Sequence, residues 1–161
     1  MDKNRGIGKK NTLPWYISEE LKRFKRLTVG HVVVCGRNTF ESIVNRLKKP
    51  LPERTMVVIT RDSNYKPPIG DEYLNQVIVV NSIEKALQKA KQLEEEEIFV
   101  IGGAQIYEQA MKYIDRLYLT LVDKEYDVDT YFPDYSEFKK VVSEEPQESE
   151  GLKYTFLTLE R

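Results

Sequence analysis

Glu20 is the most unexpected residue of the chain, because a carboxylate stands among apolar side chains. The stretch NTLPWYISEELKRF (11–24) predicts a helix that begins at Ser18, a suitable N-cap. At about 100° per residue, Glu20 falls roughly 40° from Phe24 and about 20° from Leu27 on that helix. An ionised carboxylate in such a place is costly unless it is paired, and a polar ligand with two N–H donors would satisfy both oxygens. The alternative is an acid near a helix N-terminus that bends out to water.

Three predicted strands end in short segments that could hold a phosphorylated ligand. These are GRNT (36–39), TRDS (60–63) and GG (102–103), and the first and last lead into predicted helices. Glycines let the backbone approach a ligand, and helix N-termini present free N–H groups to phosphate. Arg37 and Arg61 add cations suited to a phosphate monoester. Together these features favour a dinucleotide with an extra phosphate, NADP rather than NAD, although the spacing is not G-x-G-x-x-G. Three ordinary turns with two surface arginines are the alternative.

Length and composition narrow the classes of protein to which the chain can belong. It has 161 residues, 40% of them hydrophobic and 32% charged, which is typical of one soluble globular domain, here residues 1–161. A formal net charge of −1 gives no general attraction to nucleic acid or to anionic membranes. The apolar runs are too short to span a bilayer, and the first dozen residues do not resemble a signal peptide. With Cys35 alone, an internal disulfide is impossible, and we expect a cytoplasmic protein.

Two catalytic classes are disfavoured by the same composition. His31 is the single histidine and stands at the start of an apolar run, so its position favours a strand entry over a hydrolase triad. Clustered Cys and His ligands for zinc are absent. The segment DVDTYFPD offers Asp127, Asp129 and Asp134, but it lacks the glycine and terminal glutamate of a calcium loop. We therefore predict no metal site.

Strands alternate with helices over the first two thirds of the chain. Short β-branched runs without strict alternation favour strands buried on both faces, as in a parallel sheet. They are 31–35, 55–60, 76–80 and 97–101. Helical patterns lie between them: the helix from Ser18, one from near Asn38, 82–96 with Ser82 as its cap, and 104–114. KPPIGDEY (66–73) is predicted to be a surface loop. The alternation predicts βαβ units in a mostly parallel sheet with about four helices.

The last third of the chain has a different pattern. Three strand-like runs, 116–123, 138–145 and 153–160, follow one another with no helical pattern between them. The polar stretch PQESEG predicts a turn that joins the last two as an antiparallel pair. Thr120 lies in the first of the three runs and is a candidate protein neighbour for Glu20. The fold class is therefore α/β, with a mixed, mostly parallel central sheet that ends in an antiparallel C-terminal pair.

Seven motifs of the chain, in this order and at this spacing, resemble the dihydrofolate reductase family. They are GIGKKNTLPW, EELKRF, GRNTFESI, LPERTMVVIT, VIGGAQIYEQA, LYLT and DTYFPDY. The resemblance covers nearly the whole chain. It implies the dihydrofolate reductase fold and the NADPH-dependent reduction of dihydrofolate to tetrahydrofolate, with hydride transfer to C6 and protonation at N5. The implied partners are a small-molecule substrate and NADPH, in a protein that we expect to be a monomer.

The resemblance also implies roles for individual residues. Glu20 matches the acid that binds the pterin, Trp15 matches the tryptophan that orders a water near it, and Thr120 matches the threonine bonded to that acid. Substrate contacts are implied for Leu21, Phe24, Ile43, Leu51, Arg54, Ile101 and Tyr107, with Arg54 on the α-carboxylate. Cofactor contacts are implied for Ile7, Gly8, Gly36, Arg37, Asn38, Thr39, Thr60, Arg61, Gly102, Gly103, Ala104, Gln105 and Ile106.

The start of the chain departs from the family pattern. The family has a short apolar strand before the stretch that corresponds to DKNRGIG, whereas this chain begins at Met1. We expect Met1 to be an internal methionine of a protein that starts about seven residues earlier, or another segment to fill that position by strand addition. Two alternative functions stay open at this point: a related pyrimidine reductase on the same fold, and a folate- or NADP-binding relic without turnover.

Overall fold

The computed structural model describes residues 1–161 and has the predicted mixture of helices and strands. The helices are α1 (Ser18–Thr28), α2 (Arg37–Leu47), α3 (Ile83–Leu93) and α4 (Ala104–Ala110), with 3₁₀ helices at Asp71–Gln76 and Met111–Tyr113. The strands are β1 (Gly6–Gly8), β2 (Val32–Gly36), β3 (Thr55–Ile59), β4 (Val77–Val80), β5 (Ile98–Val100), β6 (Arg116–Val122), β7 (Thr130–Tyr131), β8 (Lys140–Ser149) and β9 (Leu152–Glu160).

The strands form three sheets, and the chain divides into two compact units. One unit contains Met1–Leu21 and Ala110–Arg161, and the other contains Lys22–Gln109. We call them the discontinuous unit and the continuous unit. The continuous unit holds a parallel sheet in the order β4-β3-β2-β5. The discontinuous unit holds an antiparallel sheet in the order β6-β9-β8 and the small antiparallel pair β1-β7. The predicted fold class is confirmed.

The parallel sheet of the continuous unit is apolar on both faces, as its sequence pattern predicts. Val33 and Val34 of β2 and Val57 and Val58 of β3 are fully buried. Such runs are stable only when elements cover both faces of the sheet. Helix α3 contributes a buried apolar stripe, and the predicted cap at Ser82 is confirmed, because its hydroxyl accepts a hydrogen bond from the Lys85 N–H at 3.2 Å. The segments that follow the carboxyl ends of these strands are therefore attached to a well-packed sheet.

The antiparallel sheet differs from the prediction at its hairpin. The stretch PQESEG does not form the turn by itself, because β8 continues through Pro146 to Ser149. The turn is made by Glu150 and Gly151, both with positive φ, as two-residue hairpin loops require. Strand β8 is an edge strand, where the missing N–H of proline is tolerated. The polar composition of 146–149 reflects exposure at the edge of the sheet rather than a turn.

Two other predicted boundaries shift. The helical pattern 104–114 ends as α-helix at Ala110 and tightens into a 3₁₀ turn, which is common at helix C-termini. The predicted loop 66–73 is partly helical, because its last residues belong to the 3₁₀ helix Asp71–Gln76. The Gln76 side chain amide donates to the carbonyl of Leu51 and, at 2.8 Å, to that of Arg54, which ties this connection to the segment before β3.

Candidate active site

Glu20 lies in the first turn of α1 and is held by the single tryptophan of the chain. The indole N–H of Trp15 donates to Glu20 Oε2 at 3.0 Å. Glu20 is half-buried, whereas Trp15 is buried in an apolar cluster with Ile17, Val122, Tyr154 and Phe156. Packing therefore fixes the indole, and the indole fixes one oxygen of the carboxylate. The structure brings together these two predicted residues, five positions apart in sequence, through a neutral donor.

Thr120 is buried in the middle of β6, and its backbone carbonyl makes a hydrogen bond to the start of the chain. Its carbonyl accepts a hydrogen bond from the Met1 amino group. The hydrogen bonds of the structure do not include one from the Thr120 hydroxyl to Glu20. The predicted role of this hydroxyl stays a prediction.

Ile7 and Gly8, the predicted contacts of the cofactor near the N-terminus, lie on β1. Strand β1 pairs with β7, and two further bonds extend this contact: the Asp129 N–H donates to the Gly8 carbonyl, and the Lys10 N–H donates to Asp129 Oδ2, both at 3.0 Å. Hydrogen bonds from the Lys10 N–H and the Thr130 hydroxyl lower the pKa of Asp129. Asp129 therefore anchors this loop through its backbone and side-chain hydrogen bonds.

Asp2 accepts hydrogen bonds from the backbone of the segment that contains β1, and the sequence analysis did not predict this role. Its carboxylate accepts backbone N–H bonds from Asn4 at 2.8 Å, Gly6 at 2.7 Å and Tyr126 at 3.0 Å. Burial by itself raises the pKa of Asp2, but these three donors outweigh it, and the pKa is lowered. A Cβ on Gly6 would lie 2.6 Å from Val128, so only glycine fits there. An acid four residues before a glycine was the available signal.

The glycines at the ends of β2 and β5 lie against each other in the continuous unit. The Gly36 N–H donates to the Gly102 carbonyl at 2.8 Å. A Cβ on Gly36 would lie 3.1 Å from the Ile106 side chain, and one on Gly103 would lie 3.5 Å from Thr39 Oγ1. Gly102 has φ +113°, which favours glycine. The ends of β2 and β5 are therefore close together, and the glycines there leave backbone that no side chain covers.

Arg37 begins α2 and connects the ends of β2 and β3. Its Nε–H donates to Glu41 Oε1 at 3.1 Å, and its NH1 group donates to Asp62 Oδ2 at 3.4 Å. The guanidinium carbon lies 4.4 Å from the centroid of the Tyr65 ring. The hydrogen bond to Glu41 is the main cause that raises the pKa of Arg37. Arg61, the other predicted arginine, is exposed and makes neither an ion pair nor a hydrogen bond through its side chain.

Arg54 is buried next to α1, with neutral partners. Its Nε–H donates to the Pro52 carbonyl at 2.8 Å and its NH1 group to Thr28 Oγ1 at 3.1 Å. The Thr28 hydroxyl in turn donates to the Phe24 carbonyl at 2.8 Å, and the guanidinium lies 5.9 Å from the Phe24 ring. Burial lowers the pKa of Arg54. The chain therefore keeps a cation in apolar surroundings without a carboxylate bonded to it.

The remaining predicted residues lie on the elements already described or next to them in sequence. In the continuous unit, Leu51 is buried before β3, and Ile43 is half-buried on α2. The others there are Asn38 and Thr39 in the first turn of α2, Thr60 and Arg61 after β3, Ile101 after β5, and Ala104, Gln105, Ile106 and Tyr107 on α4. Leu21 follows Glu20 on α1 and is half-buried. The Thr60 N–H donates to the Val80 carbonyl at 2.9 Å, which fixes the end of β3 against β4.

Comparisons with known proteins agree on one family. The sequence profile described as "Dihydrofolate reductase" matches residues 1–161. The chain is 39% identical to the dihydrofolate reductase of Bacillus subtilis, over 100% of this chain and 90% of the relative. It is 40% identical to the dihydrofolate reductase HdrB of Haloferax volcanii, over 98% and 78%. A structure of dihydrofolate reductase from Enterococcus faecalis complexed with NADP(H) and RAB-propyl superposes with a TM-score of 0.84 and 30% identity, covering 100% of this chain and 92% of that one.

The chain belongs to the dihydrofolate reductase family. The predictions of an NADPH-dependent oxidoreductase and of its substrate, dihydrofolate, are confirmed. The comparisons favour neither the pyrimidine reductase nor the relic without turnover. No helix of the chain has the length and apolar character that crossing a membrane requires.

Proposed function

We propose that the chain reduces dihydrofolate through Glu20, Arg54 and the glycine-rich strand ends. When bound, NADPH supplies the hydride that C6 of the pterin accepts, and N5 takes a proton, so that NADP⁺ and tetrahydrofolate are released. Family membership supports the reaction. The observation that carries the assignment of residues is the half-buried carboxylate of Glu20, which is oriented by an indole N–H at 3.0 Å.

Glu20 binds and orients the pterin. The indole of Trp15 occupies one side of Oε2, which leaves Oε1 and the remaining lone pairs for N–H donors of a ligand. A carboxylate in an apolar pocket strengthens such bonds because little water competes with the ligand. The negative charge also favours a proton on the pterin nitrogen, which is the form that accepts hydride at the neighbouring carbon. Thr120 is proposed to support this acid from β6.

Arg54 binds the carboxylate end of the substrate. A buried guanidinium whose hydrogen-bond partners are neutral can still form an ion pair with an anionic ligand. Its planar set of N–H donors matches the two oxygens of a carboxylate. Thr28 and the Pro52 carbonyl fix the fork before the ligand arrives. Apolar contacts are proposed for the aromatic parts of the substrate, from Leu21, Phe24, Ile43, Leu51, Ile101 and Tyr107.

The glycine-rich strand ends fit the phosphates of NADPH. Side chains at positions 36 and 103 would fill the space in front of Ile106 and Thr39, so a ligand can reach the backbone only because both residues are glycine. Asn38, Ala104 and Gln105 extend this surface with groups of the first helical turns, and Thr60 does so at the end of β3. Arg37 and Arg61 are proposed to bind the 2′-phosphate. Ile7 and Gly8 are proposed to cover the nicotinamide.

A spectrophotometric assay tests the proposed function. The purified chain is mixed with NADPH, and the near-ultraviolet absorbance of NADPH is followed before and after dihydrofolate is added. We expect oxidation only with dihydrofolate, and its loss in Glu20→Gln. Binding of both ligands without oxidation would contradict the proposal. We also propose that the chain acts as a single-domain monomer in the cytoplasm, and sedimentation equilibrium of the purified chain tests the monomer.

A further inference from the structure

Arg37, one of the two arginines proposed to bind the 2′-phosphate, already interacts with side chains of the chain itself. Arg37 has a carboxylate on each of two sides, Glu41 on its Nε–H at 3.1 Å and Asp62 on its NH1 group at 3.4 Å. Tyr65 covers one face of the guanidinium, at 4.4 Å from guanidinium carbon to ring centroid. A phosphate that approaches Arg37 must therefore compete with a carboxylate. Arg61, one residue before Asp62, meets no such competition.

The two carboxylates are not equivalent. Glu41 lies one turn after Arg37 on the same helix, and its bond to Nε leaves the outer nitrogens of the fork accessible. Asp62 sits on the turn after β3, and its two oxygens have separate tasks. Oδ1 accepts the Asn64 N–H at 2.9 Å and holds the turn, while Oδ2 faces the outer nitrogen of Arg37. Asp62 is therefore the acid that a phosphate has to displace.

Tyr65 restricts where the guanidinium can move once Asp62 is displaced. Its hydroxyl is buried beside the Glu41 carboxylate, the same acid that accepts a hydrogen bond from Arg37 Nε. Burial raises the pKa of Tyr65 to about 12, and the Glu41 carboxylate adds to this effect, so the ring is neutral at physiological pH. A neutral aromatic face attracts a guanidinium and keeps its plane fixed. The ring and the helix then leave the outer edge of Arg37 as the open direction.

We propose that Asp62 and Tyr65 are positioning residues that set the preference of this chain for a 2′-phosphate through Arg37. Tyr65 fixes the plane of the guanidinium, and Asp62 is a built-in counter-ion that occupies the phosphate position until the cofactor binds. The cost of displacing Asp62 limits the affinity for the phosphorylated cofactor and does not affect a cofactor without that phosphate. This inference rests on the proposed function, because it assumes that the same strand ends bind NADPH.

The experiment measures dissociation constants of NADP⁺ and NAD⁺ by calorimetry, which needs no turnover. In Asp62→Asn the NADP⁺ affinity should rise about two- to fivefold with NAD⁺ unchanged, the size expected for an exposed ion pair. The rise should shrink at high salt, which screens the pair. Tyr65→Leu should weaken NADP⁺ about three- to tenfold, and Tyr65→Phe, which keeps the ring, should not.

Two controls make the result specific. Glu95→Gln makes the same change of charge at the opposite end of the same sheet, before β5, and should leave both constants unchanged. In an Arg37→Ala background, neither Asp62→Asn nor Tyr65→Leu should change the NADP⁺ constant further, because both act through Arg37. Melting temperatures identify any variant that fails to fold, and Tyr65→Phe then carries the test of the ring.

The outcomes separate this inference from the proposed function. Unchanged or weaker NADP⁺ binding in Asp62→Asn overturns it, and so do equal effects on NADP⁺ and NAD⁺ or persistence of the effects without Arg37. If the unmodified chain binds NADP⁺ with the expected responses but does not oxidise NADPH with dihydrofolate, the proposed function fails and the inference stands. If turnover is normal and the responses are missing, only the inference fails.

Discussion

The two compact units present charge in opposite ways. In the discontinuous unit, the half-buried carboxylate of Glu20 is bonded to a single neutral donor, the indole of Trp15. In the continuous unit, two of the arginines differ from each other: Arg54 is buried with neutral partners, whereas Arg37 is more exposed and has two carboxylates. A charge without a counter-ion from the protein is prepared for a ligand of opposite charge. Where the protein supplies a counter-ion, a ligand has to displace it, so the counter-ion affects how strongly different ligands bind.

This difference indicates where substitutions change turnover and where they change affinity. Removing the charge of Glu20 removes the group that is proposed to orient the reacting ring. Altering Arg54 removes an attraction that no other protein group replaces. Altering Arg37 also frees two acids, so part of the loss comes from new repulsion toward a phosphate. The expected effects should decrease in that order.

Glu20→Gln should have the largest effect. The amide keeps the shape but not the charge, so we expect kcat near neutral pH to fall by roughly 10²–10⁴-fold, the usual contribution of a proton-transfer group. The loss should be smaller at lower pH, where the substrate itself carries more of the required proton. Steady-state kinetics across pH measure both effects.

The matched control is Glu19→Gln, which makes the same change on the exposed side of α1. It should leave kcat within a small factor. The fold of Glu20→Gln should survive, because a buried carboxylate rarely contributes net stability. A near-normal rate for Glu20→Gln would place the proton chemistry elsewhere.

Arg54→Lys should raise the KM for dihydrofolate by about 10- to 100-fold and change the KM for NADPH little. Lysine keeps the charge but cannot reproduce the fork that bonds Thr28 and the Pro52 carbonyl and is proposed to grip a carboxylate. Initial rates at varied concentrations of each ligand separate the two constants. Arg46→Lys, at an exposed site on α2, is the control. An equal change in both constants would refute the assignment of Arg54 to the substrate.

Arg37→Ala combined with Arg61→Ala should weaken NADPH relative to NADH by at least about tenfold, because both charged donors to a 2′-phosphate are lost. The comparison of cofactors cancels any general damage to the site. Arg26→Ala combined with Arg46→Ala removes the same charge from exposed positions of the same unit and should not change the ratio. Equal weakening of both cofactors would contradict a phosphate role.

Asp2→Asn should have the smallest effect, on stability rather than on chemistry. An asparagine retains Oδ1 for Gly6 and Asn4 but loses the acceptor for the Tyr126 N–H, so we expect a loss of about 1 kcal/mol near neutral pH. The folded pKa of Asp2 lies below its ordinary value of 3.8. Its contribution is therefore present above that value and lost as the pH falls through the lowered pKa.

Urea unfolding of both chains between acid and neutral pH checks the prediction for Asp2. The two free energies of unfolding should differ most at neutral pH and converge in acid. Asp71→Asn, an exposed acid, should show no such convergence. A difference that is constant with pH would mean that the carboxylate of Asp2 is not the group responsible.

Much of the fold could be predicted from local patterns. The β-branched runs predicted β2 to β5, of which β2 and β3 are buried on both faces, and Ser82 was recognised as a cap because its hydroxyl acts locally. The length of β8 was not predictable, since Pro146 and its polar neighbours are tolerated only because β8 is an edge strand, and edge position is a property of the whole sheet.

The site was predictable in part for the same reason. The spacing on a helix was enough to single out Glu20, which the structure places on α1 beside Trp15, and the glycines at strand ends predicted a phosphate site that stays a prediction. The groups that hold these residues could not be found, because Thr28 meets Arg54, and Tyr65 meets Arg37, through tertiary contacts only. Nothing in the sequence near either residue distinguishes it from an ordinary threonine or loop tyrosine.

The division of the chain into a continuous and a discontinuous unit also orders events during synthesis on the ribosome. Lys22–Gln109 emerges as one stretch, whereas the segment with Trp15 and Glu20 has to wait for partners that are translated much later. Among those partners, β9 is both the last strand to emerge and the centre of its sheet. At about 5–20 residues per second, the nascent chain spends several seconds with the continuous unit translated and Glu20 unsupported. Cofactor present during translation would therefore meet the strand ends proposed to bind it before Glu20 is in place.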